Sequence, residues 1–140
     1  MITEQLTVRF YETDALGHVN NTVIPQWFEA GRIPLFDLFT EQSESGNVAL
    51  IVANLNVDFV RPIYFGHPVT LKTFIRRLGT SSFDIGTEVW QSGHVCAKGT
   101  TIMVNYDYQA QRSVAMSDSI KTTLAEYAHP DYPLTTASGV

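Results

Sequence analysis

The chain contains a single cysteine, Cys96, so no disulfide can form within it. That excludes a fold stapled by sulfur bridges and suits a reducing, cytoplasmic setting. No stretch reaches the roughly 20 consecutive apolar residues that a spanning helix needs, so no membrane insertion is expected. The opening residues Met1-Ile2-Thr3-Glu4-Gln5 lack the basic and apolar segments of a secretory leader, and no signal peptide is expected. Cations are scarce: 9 Lys and Arg stand against 14 Asp and Glu, a formal net charge of −5. Such a surface disfavours broad binding to nucleic acid or anionic lipid, while leaving room for a local cationic subsite. No Walker loop, Gly-x-Gly-x-x-Gly turn or Gly-x-Ser-x-Gly elbow is present. His18, His67, His94 and His129 are scattered without metal-ligand spacing, so no metal is expected.

What is present is a well-supplied core. Hydrophobic residues make up 44% of the 140, enough to fold as one domain over 1–140. Residues 2–10 read as a strand, and 11–21, rich in turn formers, as a loop. Ile24, Trp27, Phe28, Gly31, Leu35 and Leu38 recur at helical spacing. Pro25 belongs in the first turn, which favours Thr22 as N-cap, with Asn21 second; Pro34 predicts a kink or break near Ala30 to Pro34.

Residues 40–47 read as a polar loop. Strands are predicted over 53–59, 69–78, 82–91 and 94–107, with a hairpin at Gln91-Ser92-Gly93. A short helix over 117–127 is capped by Ser117, and 128–140 reads as a loose tail. Short turns would make the strands after the helix antiparallel neighbours. The result is an α+β domain, an antiparallel sheet wrapped over one long central helix.

Tyr11-Glu12-Thr13-Asp14-Ala15-Leu16-Gly17-His18-Val19-Asn20-Asn21 leads into Trp27-Phe28-Glu29-Ala30-Gly31-Arg32. This resembles the signature of the 4-hydroxybenzoyl-CoA thioesterase family. Val57-Asp58-Phe59-Val60-Arg61-Pro62-Ile63, Gly66-His67-Pro68-Val69, Ser81-Ser82-Phe83 and Val95-Cys96-Ala97-Lys98-Gly99 follow in the family's order. The resemblance covers roughly 4–127. It implies a hotdog fold, a homodimer with sheets joined side by side, often a homotetramer, and active sites at the dimer interface. It also implies hydrolysis of an acyl-CoA thioester without a metal, coenzyme A entering only as part of the substrate. Acyl-carrier-protein thioesters, a hotdog dehydratase and a non-catalytic acyl-CoA-binding protein are the competing readings. The helix-borne acid/base pair of the dehydratases is not found.

Thioester hydrolysis needs an oxygen nucleophile or a base, donors at the developing oxyanion, and a hold on the carrier. On residue type alone, Asp14 reads as a carboxylate that orders its loop. The resemblance gives it the catalytic role, as nucleophile or general base. It also places the Asn21 backbone N–H at the thioester oxygen. The side chains of Asn20 and Asn21 suit capping equally well. His18 either assists Asp14 and substrate or is a satisfied loop histidine. Glu29 is the rival carboxylate, although its spacing to Arg32 reads as an ion pair.

Candidate cations for the CoA phosphates are Arg61, Lys72, Arg76, Arg77, Lys98 and Arg112, and an exposed strand-end Arg is common without function. Arg76-Arg77 ahead of Ser81-Ser82 combines charge with hydroxyls and loop amides. Trp27, Phe28 and Phe59 are candidate walls for the acyl group, and core packing explains them as well.

Overall fold

The computed structural model describes residues 1–42 and 48–136. Strand β1 (Ile2–Leu6) precedes helix α1 (Val23–Gln42), followed by β2 (Val48–Phe59), β3 (Val69–Leu78), β4 (Ser82–Gln91) and β5 (His94–Asp107). Short β6 (Arg112–Ser113), helix α2 (Asp118–Ala125) and short β7 (Thr135–Thr136) complete the order. The sheet runs β1-β3-β4-β5-β2, with β6 on β5 and β7 on β3. All pairings are antiparallel except β3 with β7.

Helix α1 lies against β2, β3 and β4. Gly31 permits the approach: a Cβ there would meet the Leu71 and Thr73 side chains at 2.6 and 2.7 Å. The helix does not break at Pro34. The carbonyl left unbonded belongs to Ala30, which is exposed to water, while Phe28 and Leu35 on the other side are fully buried. Burial of that apolar face outweighs one lost hydrogen bond.

Other sequence expectations shift as well. β1 stops at Leu6, and Phe10–Glu12 forms a 3-10 turn. The Arg9 N–H donates to Glu12 Oε1 at 2.7 Å and the Thr13 hydroxyl to the Phe10 carbonyl at 2.7 Å, local bonds that compete with a sheet ladder. β2 is longer than predicted, with a register shift between Val52 and Asn54. It pairs with β5, not with β3. The 60–68 link holds Pro62 and Pro68, which have no N–H for a tight hairpin, and it carries the chain past the sheet end instead.

The predicted hairpin is present, with Ser92 and Gly93 both at positive φ. Ser117 caps α2 through the Ile120 N–H at 3.2 Å. Residues 40–42 continue α1 rather than opening the polar loop expected over 40–47, and the rest of that expectation lies outside the described residues. The tail is not loose up to 136. His129 stacks on Tyr132 with centroids 4.0 Å apart, both rings lie against Phe74, and Thr135 and Thr136 pair with Arg77 and Leu78. Phe74 points to the sheet face away from α1, and this segment covers it.

The core forms two apolar clusters. Ile24, Phe28, Leu71, Val89 and Ala97 belong to the first; Leu35, Ile75, Phe83, Ile85 and Met103 belong to the second. Between them along the elements lie buried Arg32, Thr73, Thr87 and Thr101.

Candidate active site

The loop from Thr13 to Thr22 is shaped by its own polar groups. Thr13 and Val19 form a bridge, and the Asp14 N–H donates to the His18 carbonyl at 2.7 Å. Gly17, at φ +79°, closes the turn by donating its N–H to the Asp14 carbonyl. Asp14 Oδ1 accepts from the N–H groups of Leu16 at 2.9 Å and His18 at 3.3 Å. The loop-ordering role is therefore present. Among the described residues Oδ2 receives no hydrogen bond, so one carboxylate oxygen fixes the loop and the other remains.

The same loop delivers the start of α1. Asn20 Oδ1 accepts from both the N–H and the hydroxyl of Thr22, each at 2.9 Å, and its carbonyl accepts from the Val23 N–H. Thr22 immediately precedes the helix, but Asn20 supplies the accepting side chain. Pro25 removes a first-turn N–H that a Thr22 cap would have used. Among the described residues the Asn21 N–H has no acceptor. An unpaired amide here carries the partial positive charge of a helix start.

Asp14, His18 and Asn21 open onto a cavity of about 310 Å³. Val19, Ile24, Ile63, Cys96 and Ala97 give it apolar walls, and Phe59, Val60, Arg61 and Pro62 form the remaining side. The Val19 N–H bond to the Ile63 carbonyl, 2.7 Å, ties the two halves together. The His18 ring stands edge-on to Tyr64 with centroids 5.1 Å apart, which sets its plane. Burial pushes the Cys96 thiol above its ordinary range, opposed by a backbone hydrogen bond and the charge of Arg61.

Of the residues singled out from sequence, Asp14, His18, Asn21, Phe59 and Arg61 share this cavity. The others are elsewhere. Asn20 is engaged in the turn. Trp27 is buried in the core and donates its indole N–H to Glu12 Oε2 at 3.0 Å. Arg77 is bonded to Ser82 Oγ and Asp84 Oδ1, each at 2.8 Å, and Ser81 and Ser82 are buried. Arg76 lines a different, mixed-charge cleft with Lys98, Glu88 and Tyr132. Glu29 is exposed, 3.8 Å from Arg32, and does not line the cavity. Arg61 is the cation that does. Its signal in the sequence was an Arg-Pro turn closing a strand, which did not distinguish it from five other candidates. Among the described residues no three of His, Cys, Asp and Glu gather as a metal site.

An antiparallel sheet lies over helix α1, and a carboxylate and a free amide stand ahead of the helix start beside one cavity. Residues 8–124 match the Thioesterase-like superfamily, and the chain belongs to that family. It is a thioester hydrolase. A 1,4-dihydroxy-2-naphthoyl-CoA hydrolase from Nostoc punctiforme is 31% identical over 126 residues, covering 84% of this chain and 82% of the relative. The structure of a predicted thioesterase from Bacillus stearothermophilus has a TM-score of 0.84 at 39% identity, covering 94% of this chain and 97% of that one. A thioesterase from Thermus thermophilus, complexed with coenzyme A and Zn, has a TM-score of 0.76 at 30% identity, over 89% of this chain and 92% of that one.

Proposed function

We propose that the chain hydrolyses an acyl-CoA thioester to the free acid and coenzyme A, acting as one hotdog domain of the 4-hydroxybenzoyl-CoA thioesterase kind in the cytoplasm. The observation that carries this reading is the pairing of Asp14 with the unpaired Asn21 amide at one cavity. A thioester carbonyl held between them would meet an oxygen nucleophile on one side and a donor for its developing negative charge on the other. Asp14 Oδ2 either attacks the carbonyl carbon or takes a proton from the attacking water. In both cases the carbon–sulfur bond breaks and the thiolate leaves as coenzyme A after protonation; where Asp14 is the nucleophile, water then hydrolyses the mixed anhydride, releasing the acid and restoring the carboxylate. His18, with its backbone N–H on Oδ1, helps hold the carboxylate. Arg61, on the same cavity, would meet phosphate of the carrier. No resident cofactor enters this scheme.

The working unit is a homodimer, with a tetramer of two dimers as its further assembly. β2 is an end strand with an unpaired edge among the described residues, and Ile51, Val52, Leu55 and Phe59 on and beside it are exposed. A second copy joining there would cover them and close the cavity mouth near Phe59. The test is a panel of straight-chain and aromatic acyl-CoAs with released thiol as readout. Turnover of one class supports the reading. Tight binding throughout without thiol release refutes it and leaves a binding protein.

A further inference from the structure

The cavity wall runs on into the core along two parallel rows. On α1, Ile24, Phe28 and Arg32 follow at four-residue intervals, which places them on one face. On β5, Ala97, Gly99 and Thr101 alternate onto one face of the strand. Ile24 and Ala97 line the cavity. Phe28 is fully buried, and its ring lies over Gly99: a Cβ on Gly99 would sit 2.8 Å from Phe28 Cε2. One step deeper, Arg32 is 4% exposed, and its Nε and Nη1 have no partner among the described residues. The Thr87 and Thr101 hydroxyls are buried and unpartnered in the same sense.

We infer that Phe28 closed against Gly99 ends the acyl site, and that the polar belt of Arg32, Thr87 and Thr101 behind it stops longer chains. The inference rests on the acyl-CoA reading and names its substrate class: a compact acyl group that stops at the Phe28 ring. Along both rows the Phe28 ring stands between the cavity-lining Ile24 and Ala97 and the belt, in the space that Gly99 leaves open. An apolar chain gains free energy by leaving water for the Ile24 and Ala97 walls. It gains none by pressing methylenes onto the two unpartnered guanidinium nitrogens and two hydroxyls, which would then lose any chance of solvation. The two apolar clusters of the core are divided at this level, so no continuous greasy path leads past it.

The experiment compares kcat/KM for straight-chain acyl-CoAs from acetyl to dodecanoyl in wild type, Phe28→Leu and Phe28→Ala. The ratio of long-chain to short-chain values should rise by roughly tenfold or more in Phe28→Ala, and less in Phe28→Leu. Adding Arg32→Met to Phe28→Ala should raise it further; no further rise overturns the belt as the stop. An unchanged ratio in folded Phe28 variants overturns the inference while leaving hydrolysis standing. Wild-type protein that cleaves neither this series nor an aromatic acyl-CoA removes the function reading itself, and the inference with it. One measurement needs no variant. With ring-labelled phenylalanine, the Phe28 resonance should move when S-alkyl thioethers of coenzyme A bind, and not with coenzyme A alone. A resonance indifferent to every bound thioether overturns the proposal.

Discussion

Asp14 Oδ1 lies 2.9 Å from the Leu16 amide nitrogen and accepts its hydrogen bond, so the proposed catalytic carboxylate also builds its own loop. The two duties fall on different oxygens, which makes them separable by substitution.

Asp14→Asn keeps an acceptor oxygen for the Leu16 and His18 amides and loses the nucleophilic or basic one. Turnover should fall by about 10²–10⁴-fold with thermal stability and substrate binding nearly unchanged. Steady-state kinetics beside a melting curve gives both readings. Full activity in a folded Asn variant would sink the mechanism. Glu29→Gln should leave turnover at the wild-type level and move stability by no more than about 0.5 kcal/mol, since Glu29 is exposed and 3.8 Å from its partner.

Arg61 and Arg77 should part company. Arg61→Ala should raise KM for acyl-CoA by about fivefold, with kcat little changed, the size of one exposed charge contact of ~1 kcal/mol. Arg77→Met should instead cost about 1–3 kcal/mol of stability, because it strands the largely buried Asp84 carboxylate, and leave KM alone. Denaturant unfolding and initial rates on the same two proteins check this; a KM effect at Arg77 would return it to the site.

Gly99→Ala should be among the most disruptive small changes in the chain. The added Cβ would run into the Asn56 carbonyl of β2 as well as the Phe28 ring. The first is backbone and cannot rotate away. A loss of about 1–3 kcal/mol or more is expected, read from the unfolding midpoint. Wild-type stability would mean that β2 and β5 can move apart at no cost.

Cys96 provides a pH signature. Its folded pKa is raised by burial, so the folded chain holds the thiol proton at pH values where the unfolded chain releases it. The resulting stability is complete below the unfolded thiol pKa of about 8.5, and is lost as pH rises from there through the folded pKa. The unfolding free energy should therefore decline on the alkaline side, and Cys96→Ala should flatten that decline. An equal slope in both proteins would exclude the thiol as its source.

The motif from Tyr11 to Asn21 was legible because its parts interact within a few residues. Asp14 meets Leu16, Gly17 turns the chain, and Asn20 reaches Thr22. Local hydrogen bonds and φ preferences are written in short stretches of sequence. Arg77 was different. Its partner Asp84 is seven residues away across a hairpin, and only the register of β3 on β4 turns a promising phosphate ligand into half of an ion pair. Arg61 passed the opposite way, from one cation among six to the one at the cavity.

By itself, then, the chain's residue order determined a helix between strands, the turn chemistry at both ends of its hairpins, and the carboxylate loop ahead of α1. Those features depend on periodicity and on neighbours close in sequence. The tertiary structure alone decided that β2 crosses to β5, that Pro34 is tolerated, and that Phe28 meets Gly99 in front of a buried Arg32. Each of these depends on burial against a distant segment, and the free energy of burial belongs to the packed pair rather than to either sequence segment alone.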